Sequence, residues 1–207
     1  GTADIGFVQG GIEIPPELQR LETPNPEIVM WFVRGAIKDV TGVRRILTSV
    51  PDAGSHSVAK AFAKSWNIND RVEYVHEWTR LSHEADYVIP DNVDAVFVVK
   101  DPSDNDALKA AEKLANAGFR LASPELGARV GHYDYLTPYV VPAGYLRGSP
   151  PFPDAPVPTY SVSTFLIARR GLTPRMLAAA GHLIDGRRAS MSDGKYEPTL
   201  GETSELL

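Results

Sequence analysis

Four consecutive residues, Gly54-Ser55-His56-Ser57, carry the clearest chemistry in the chain. They follow an apolar run, Arg45 to Val50, that stops at Pro51-Asp52-Ala53. They open a helical pattern with Val58, Ala59, Ala61, Phe62 and Ala63 on its apolar side, running to about Trp66 and closing at Asn67 to Asp70. A strand feeding a small loop and then a helix leaves backbone N–H groups unpaired at the positive end of the helix macrodipole. Such a start stabilises a carboxylate or a phosphate. The hydroxyls of Ser55 and Ser57 either bond that ligand or cap the helix. His56 adds either charge or bulk near neutral pH.

Further candidates sit at strand ends. Gln9 and Gly10 close the run Ala3 to Val8 and either meet a ligand or form a turn packed against the later proline-rich connector. Arg34 follows the apolar run Ile28 to Val33, placed to clamp a carboxylate with two N–H groups or to make a surface ion pair. Phe97 and the loop Lys100-Asp101 belong to the run Asp94 to Val99, whose C-terminal end is the usual ligand edge of an open α/β sheet. Phe97 is alternatively a core residue. Tyr160 and Ser161 begin a return strand that could reach the same cleft, and at least one of Tyr133, Tyr135 and Tyr139 is expected there as well.

Other chemistries find no support. His76, His83, His132 and His182 lie on different elements without metal-ligand spacing and read as surface or satisfied core histidines. There is no cysteine, hence no disulfide, thiolate ligand or cysteine nucleophile. Gly54-Ser55-His56-Ser57 lacks the second glycine of a serine-hydrolase elbow. Neither a P-loop nor a Gly-x-Gly-x-x-Gly run occurs. The expectation is a protein with no catalytic residue, no metal and no cofactor. A net charge of −5 without any run of basic residues argues against a nucleic-acid surface.

The elements that must position these residues alternate. Between Gly35 and Gly144 strand and helix patterns succeed each other about five times, which predicts a largely parallel α/β sheet. Strands are expected over Ile28–Val33, Arg44–Val50, Val72–Trp78, Asp94–Val99, Phe119–Ala122, Tyr133–Val141 and Thr159–Ala168. Helices are expected over Ala107–Ala117, with Leu108, Ala111, Leu114 and Ala115 buried, over Pro124–Val130, and over Met176–Ile184 behind Thr173-Pro174. Ser149 to Pro158, rich in proline, reads as a semi-rigid connector. The domain reading is an outer lobe from residues 1–34 and 157–188, an inner α/β lobe from 35–150 with its boundary at Gly35-Ala36, and a polar tail from 189–207. Strands crossing between the lobes would form a hinge.

Five segments in order resemble one family. Ala3-Asp4-Ile5-Gly6-Phe7-Val8-Gln9 is similar to the "aDlalVQ" strand of TAXI-type solute receptors of tripartite (TRAP) transporters. Ile37 to Ile46 is similar to their "I-x-D-L-x-G-K-R-V", and Asp52 to Ser57 resembles their "G-x-x-G-S-G-T" ligand loop. Asp94-Ala95-Val96-Phe97 resembles "iDAaFfv", and Tyr139 to Gly144 resembles "v-i-P-a-G". The resemblance departs at His56, where the family has Gly, and at Gly10-Gly11, which replace a polar pair. It implies a type 2 periplasmic-binding-protein fold with an incomplete outer lobe, since the family's first βαβ portion has no counterpart here. It also implies a small organic anion, a carboxylate or amino acid, held between two lobes by Gln9, Gly10, Arg34, Gly54, Ser55, His56, Ser57, Phe97, Tyr160 and Ser161. Membrane permease subunits would be the partners and a homodimer a further expectation. The location implied is periplasmic or extracytoplasmic, through an export or anchor segment upstream of this chain. The alternative is a ligand-sensing domain of the same fold in a membrane-anchored signalling protein.

Overall fold

The computed structural model describes residues 5–23 and 27–171. The helix expected over Met176–Ile184 and the tail 189–207 lie outside the described residues. In chain order the elements are β1 (Ile5–Gln9), β2 (Leu18–Glu22), β3 (Glu27–Arg34), β4 (Arg45–Leu47), α1 (Gly54–Ser65) and β5 (Glu73–Val75). There follow α2 (Trp78–His83), β6 (Ala95–Lys100), α3 (Asn105–Asn116), β7 (Phe119–Ala122) and β8 (Leu136–Val141). The short hairpin strands β9 (Arg147–Gly148) and β10 (Pro151–Phe152) lead to β11 (Val157–Val162) and β12 (Thr164–Arg169).

The described chain divides into two compact units, residues 5–9, 13–23 and 163–171, and residues 10–12 and 27–162. The smaller holds a three-stranded antiparallel sheet with β12 between β1 and β2. Its register runs from Ile5↔Ala168 to Gln9↔Thr164 and from Phe165↔Glu22 to Arg169↔Leu18. The Thr23 N–H donates to the Thr164 carbonyl at 2.7 Å, and the Arg20 guanidinium covers the Phe165 ring at 5.2 Å.

The larger unit is α/β, built on one seven-stranded sheet in the order β5-β4-β6-β3-β11-β8, with β7 also on β3. β3 is its axis. It pairs along its length with β6 (Ile28↔Lys100 to Val33↔Ala95), at its start with β11 and at its end with β7. Both faces are buried, as the unbroken apolar run Ile28 to Val33 requires. Val29, Trp31 and Val33 face α1 together with Phe97 and Val99, while Met30 and Phe32 face α2 and α3 with Val96 and Val98.

The sheet is mixed where the sequence predicts a mostly parallel one. Only β4/β5 and β4/β6 are parallel; β3 runs antiparallel to β6, β7 and β11, and β11 to β8. The apolar run of β3 reports burial on two faces, and burial is indifferent to strand direction. β3 and β11, expected in an outer lobe, are strands of this larger sheet. The return strand expected over Thr159–Ala168 is two strands interrupted at Ser163, β11 in the larger unit and β12 in the smaller.

Local chemistry sets the element ends. α3 starts where the Asp104 carboxylate accepts the Asp106 N–H at 2.8 Å, and Gly118 at φ +79 turns the chain out of it. Its buried face is Ala107, Ala110, Ala111 and Leu114; Leu108 and Ala115 flank that face rather than form it. α1 ends at Trp66, with Asn67 at φ 59. The strand expected over Val72–Trp78 stops at Val75, because Trp78 turns into α2 with its N–H on the Thr48 carbonyl. The helix expected over Pro124–Val130 is a 3-10 turn over Gly127–His132. Within the expected connector Ser149–Pro158, β10 pairs back onto β9.

Candidate functional site

β4 delivers Thr48, Ser49 and Val50 to the start of α1. Thr48 is fully buried, with its N–H on the Val75 carbonyl at 2.9 Å. The loop then turns at Asp52, whose φ of 67 lies in the left-handed region that Asp tolerates better than most residues. Ala53 stands at the N-cap and has no side chain able to accept a bond. The first backbone bond of the helix runs from the Ser57 N–H to the Ala53 carbonyl at 3.1 Å, and the His56 N–H is taken by Ser49 Oγ at 3.1 Å. The N–H groups of Gly54 and Ser55 have no acceptor among the described residues. They stand at the positive end of a 12-residue helix.

Neither serine caps α1. The Ser55 hydroxyl is buried and bonds the backbone of β6, donating to the Val99 carbonyl at 3.1 Å and accepting the Val99 N–H at 3.0 Å. It fastens the helix to the sheet and has no donor left for a ligand. Ser57 is half-buried in the same first turn, and its hydroxyl makes no hydrogen bond among the described residues.

The residues around His56 form a cluster that the sequence reading passes over. Ser49 joins its parts: its Oγ takes the His56 N–H, and its carbonyl accepts from His76 Nδ1 at 2.7 Å. A carbonyl only accepts, so neutral His76 carries its proton on Nδ1 and presents Nε2 as an acceptor. The His56 ring meets the Tyr74 and His76 rings edge-on, each at 4.9 Å between centroids. Burial, then the neighbouring His76 and Lys60, hold His56 below its ordinary pKa of 6.5, with Asp52 opposing. Burial pushes the Tyr74 phenol up to about 12, so its hydroxyl keeps its proton. Three buried polar atoms here, His56 Nδ1, Tyr74 Oη and Thr48 Oγ1, have no hydrogen-bond partner among the described residues. Buried polar groups are nearly always paired, by protein groups or by ordered water. Only part of the signal was legible: in the alternating run Val72 to Trp78, Tyr74 and His76 fall on one face, but nothing local brings them to His56.

The remaining predicted residues disperse. Arg34 lies along its own unit, donating to the Val93 carbonyl at 2.9 Å and the Pro90 carbonyl at 3.1 Å, with its guanidinium 4.6 Å over the Phe119 ring. It is neither a free clamp nor a surface ion pair. Phe97 is wholly buried between Trp31 and Phe62 and is core. The Tyr160 hydroxyl accepts the Leu126 N–H at 3.3 Å and its ring sits 5.9 Å from Phe62; Ser161 Oγ donates to the Thr137 carbonyl at 3.3 Å. Tyr133 is tied to α1 through Ser65 Oγ at 2.6 Å and the Ala61 carbonyl at 3.1 Å. Gly10 belongs to the larger unit, where it is buried, and Gln9 ends β1 in the smaller. Of the predicted set, the structure gathers Gly54, His56 and Ser57 into one polar site and Ser55 into its support. Among the described residues no group of three or more His, Asp or Glu side chains is placed to hold a metal ion, and no helix is long and apolar enough to cross a membrane.

No protein-family model and no curated protein matches the chain. Among solved structures it is similar to a probable transcriptional regulator, PA0477, from Pseudomonas aeruginosa, at 14% identity and a TM-score of 0.40. The match covers 87% of this chain and 50% of that one, so the chain spans half the length of that protein. A likeness of this degree bears on neither function nor partner.

Proposed function

We propose that this chain is the solute-binding receptor of a TRAP-type transporter, acting outside the cytoplasm on a small organic anion and handing it to membrane permease subunits. The observation that carries the reading is the uncapped start of α1. Gly54 and Ser55 offer backbone N–H groups, Ser57 offers a hydroxyl, and the half-buried His56 and Tyr74 beside them have buried polar atoms without partners among the described residues. A carboxylate satisfies these donors without any chemistry at the ligand, as a receptor requires. The ordered resemblance of five segments to TAXI-type receptors supports the same reading, and with it a type 2 periplasmic-binding-protein arrangement of two lobes.

A thermal-shift screen against dicarboxylates, amino acids and related anions tests it. A ligand at a hundred times its dissociation constant adds about 2.7 kcal/mol to native stability, a rise of several degrees in Tm. Ser57→Leu, which fills the first turn of α1 without touching the Ser55 bonds, should abolish the shift. A protein that melts cooperatively yet responds to no anion would return the helix start to a purely structural role.

A further inference from the structure

His56 is the third residue of α1, directly after Gly54 and Ser55, whose N–H groups have no acceptor among the described residues. Side chains on a helix lean toward its N-terminus, and one turn rises only about 5.4 Å. The imidazole therefore lies within about one turn of those two N–H groups. Its place is fixed from several directions. Ser49 Oγ accepts the His56 N–H at 3.1 Å, and the Tyr74 and His76 rings stand edge-on to it, each at 4.9 Å between centroids. His76 is itself held, with Nδ1 on the Ser49 carbonyl at 2.7 Å. Thr48 adds a polar atom without a partner among the described residues. It is 0% exposed, and by strand alternation it shares the face of Ile46, which packs with Val58 and Phe62 of α1.

The charges on the ring come from three elements. Lys60, one turn further along α1, and His76, just past β5, oppose a proton on the imidazole. Tyr74 of β5 keeps its own proton and adds no charge near neutral pH. Asp52, in the loop before the helix, favours the protonated ring. That carboxylate is exposed and stands two residues before Gly54, yet the imidazole feels it. An anion on the Gly54 and Ser55 N–H groups brings a second negative charge to a position between Asp52 and His56 in the chain. It acts on the ring in the same direction as Asp52.

Taking the receptor reading as its basis, we propose that anion capture at the start of α1 is coupled to protonation of His56, so that the site binds more tightly as pH falls below neutral. A bound anion stabilises the imidazolium over the neutral ring. The complex then holds more proton than the free protein between their two midpoints, and affinity rises as pH falls through that interval. Well above both midpoints the ring is neutral in either state, and the coupling is silent. Such a receptor loads in a mildly acidic medium and releases in a neutral one.

Methanesulfonate, whose charge is constant over the range used, is the first probe, with lactate as its carboxylate counterpart. In one NMR series the Gly54 and Ser55 amide shifts report occupancy and the His56 ring shifts report its midpoint. Saturating anion should raise the His56 midpoint by about one pH unit, and affinity should rise by up to about tenfold from pH 7.5 to 5. In His56→Gln that slope should vanish, whatever the absolute affinity. Asp52→Asn, which suits the left-handed backbone there, should lower the His56 midpoint of the free protein. Shifts at Gly54 and Ser55 with an unmoved His56 midpoint and a flat affinity overturn the coupling and leave the receptor reading standing. A slope that survives in His56→Gln puts the proton elsewhere and overturns it too. No amide shift at Gly54 or Ser55 with either anion, at pH 5 as at 7.5, brings down the receptor reading and the coupling together.

Discussion

Ser55 and Val99 are joined twice: the serine hydroxyl donates to the Val99 carbonyl and accepts the Val99 N–H, at 3.1 and 3.0 Å. The pair locks the first turn of α1 to the end of β6.

Ser55→Ala removes both bonds from a site with only 5% exposure, where water replaces them poorly. The expected cost is about 1–3 kcal/mol, read as a lower Tm or urea midpoint. A serine acting only as a ligand donor would lose binding while the apo protein melted unchanged, and that result would contradict the structural role.

His56 makes stability depend on pH. Its folded pKa lies below the ordinary 6.5, so over that interval the unfolded chain binds more protons than the native one. Stability is full above about 6.5 and falls as pH drops from there through the lowered folded value. Burial is the first cause, then His76 and Lys60, with Asp52 opposing, while the Tyr74 ring packs edge-on against the imidazole. His56→Gln should flatten the Tm profile between pH 7.5 and 5, and an NMR titration should give His56 a midpoint below 6.5. A His56 midpoint at or above 6.5 would count against the cluster.

Arg34 binds parts of its own unit. Arg34→Met should cost about 1–3 kcal/mol through its two carbonyl bonds and the Phe119 contact, and Arg34→Lys should recover little of it because an ammonium lacks the planar fork. Anion affinity in the folded fraction should be unchanged. A selective loss of affinity at constant Tm would restore the ligand clamp.

Much of this was legible from pattern alone. The apolar run Ile28 to Val33 gave β3, the helical pattern expected over Ala107–Ala117 gave most of α3, and the α1 boundaries followed from Pro51-Asp52 and Asn67. Strand direction was not legible, because the burial that makes β3 apolar is the same whichever way β6 runs. Side-chain destinations failed for a related reason. Ser55 reads as a cap or a ligand donor until the position of Val99 is known, and Arg34 reads as free until Val93 and Pro90 arrive from sixty residues away. The meeting of His56 with Tyr74 and His76 depends on β5 lying parallel to β4, a pairing no local spacing announces.

Gly11 shows the same dependence in a single residue. Its φ of +88 is a conformation that L side chains rarely adopt, and a Cβ there would stand 2.8 Å from Val58 Cγ2 and 3.3 Å from the Tyr135 ring. Both neighbours belong to the larger unit, so the turn after Gly10 is moulded onto the flank of α1. Gly11→Ala therefore combines backbone strain with overpacking against Val58, and the expected loss is about 1–3 kcal/mol. Val58→Ala should relieve the clash but not the strain, so the double variant should recover part of the loss attributable to Gly11→Ala in a double-mutant cycle. Additive losses would mean that the turn does not rest on α1.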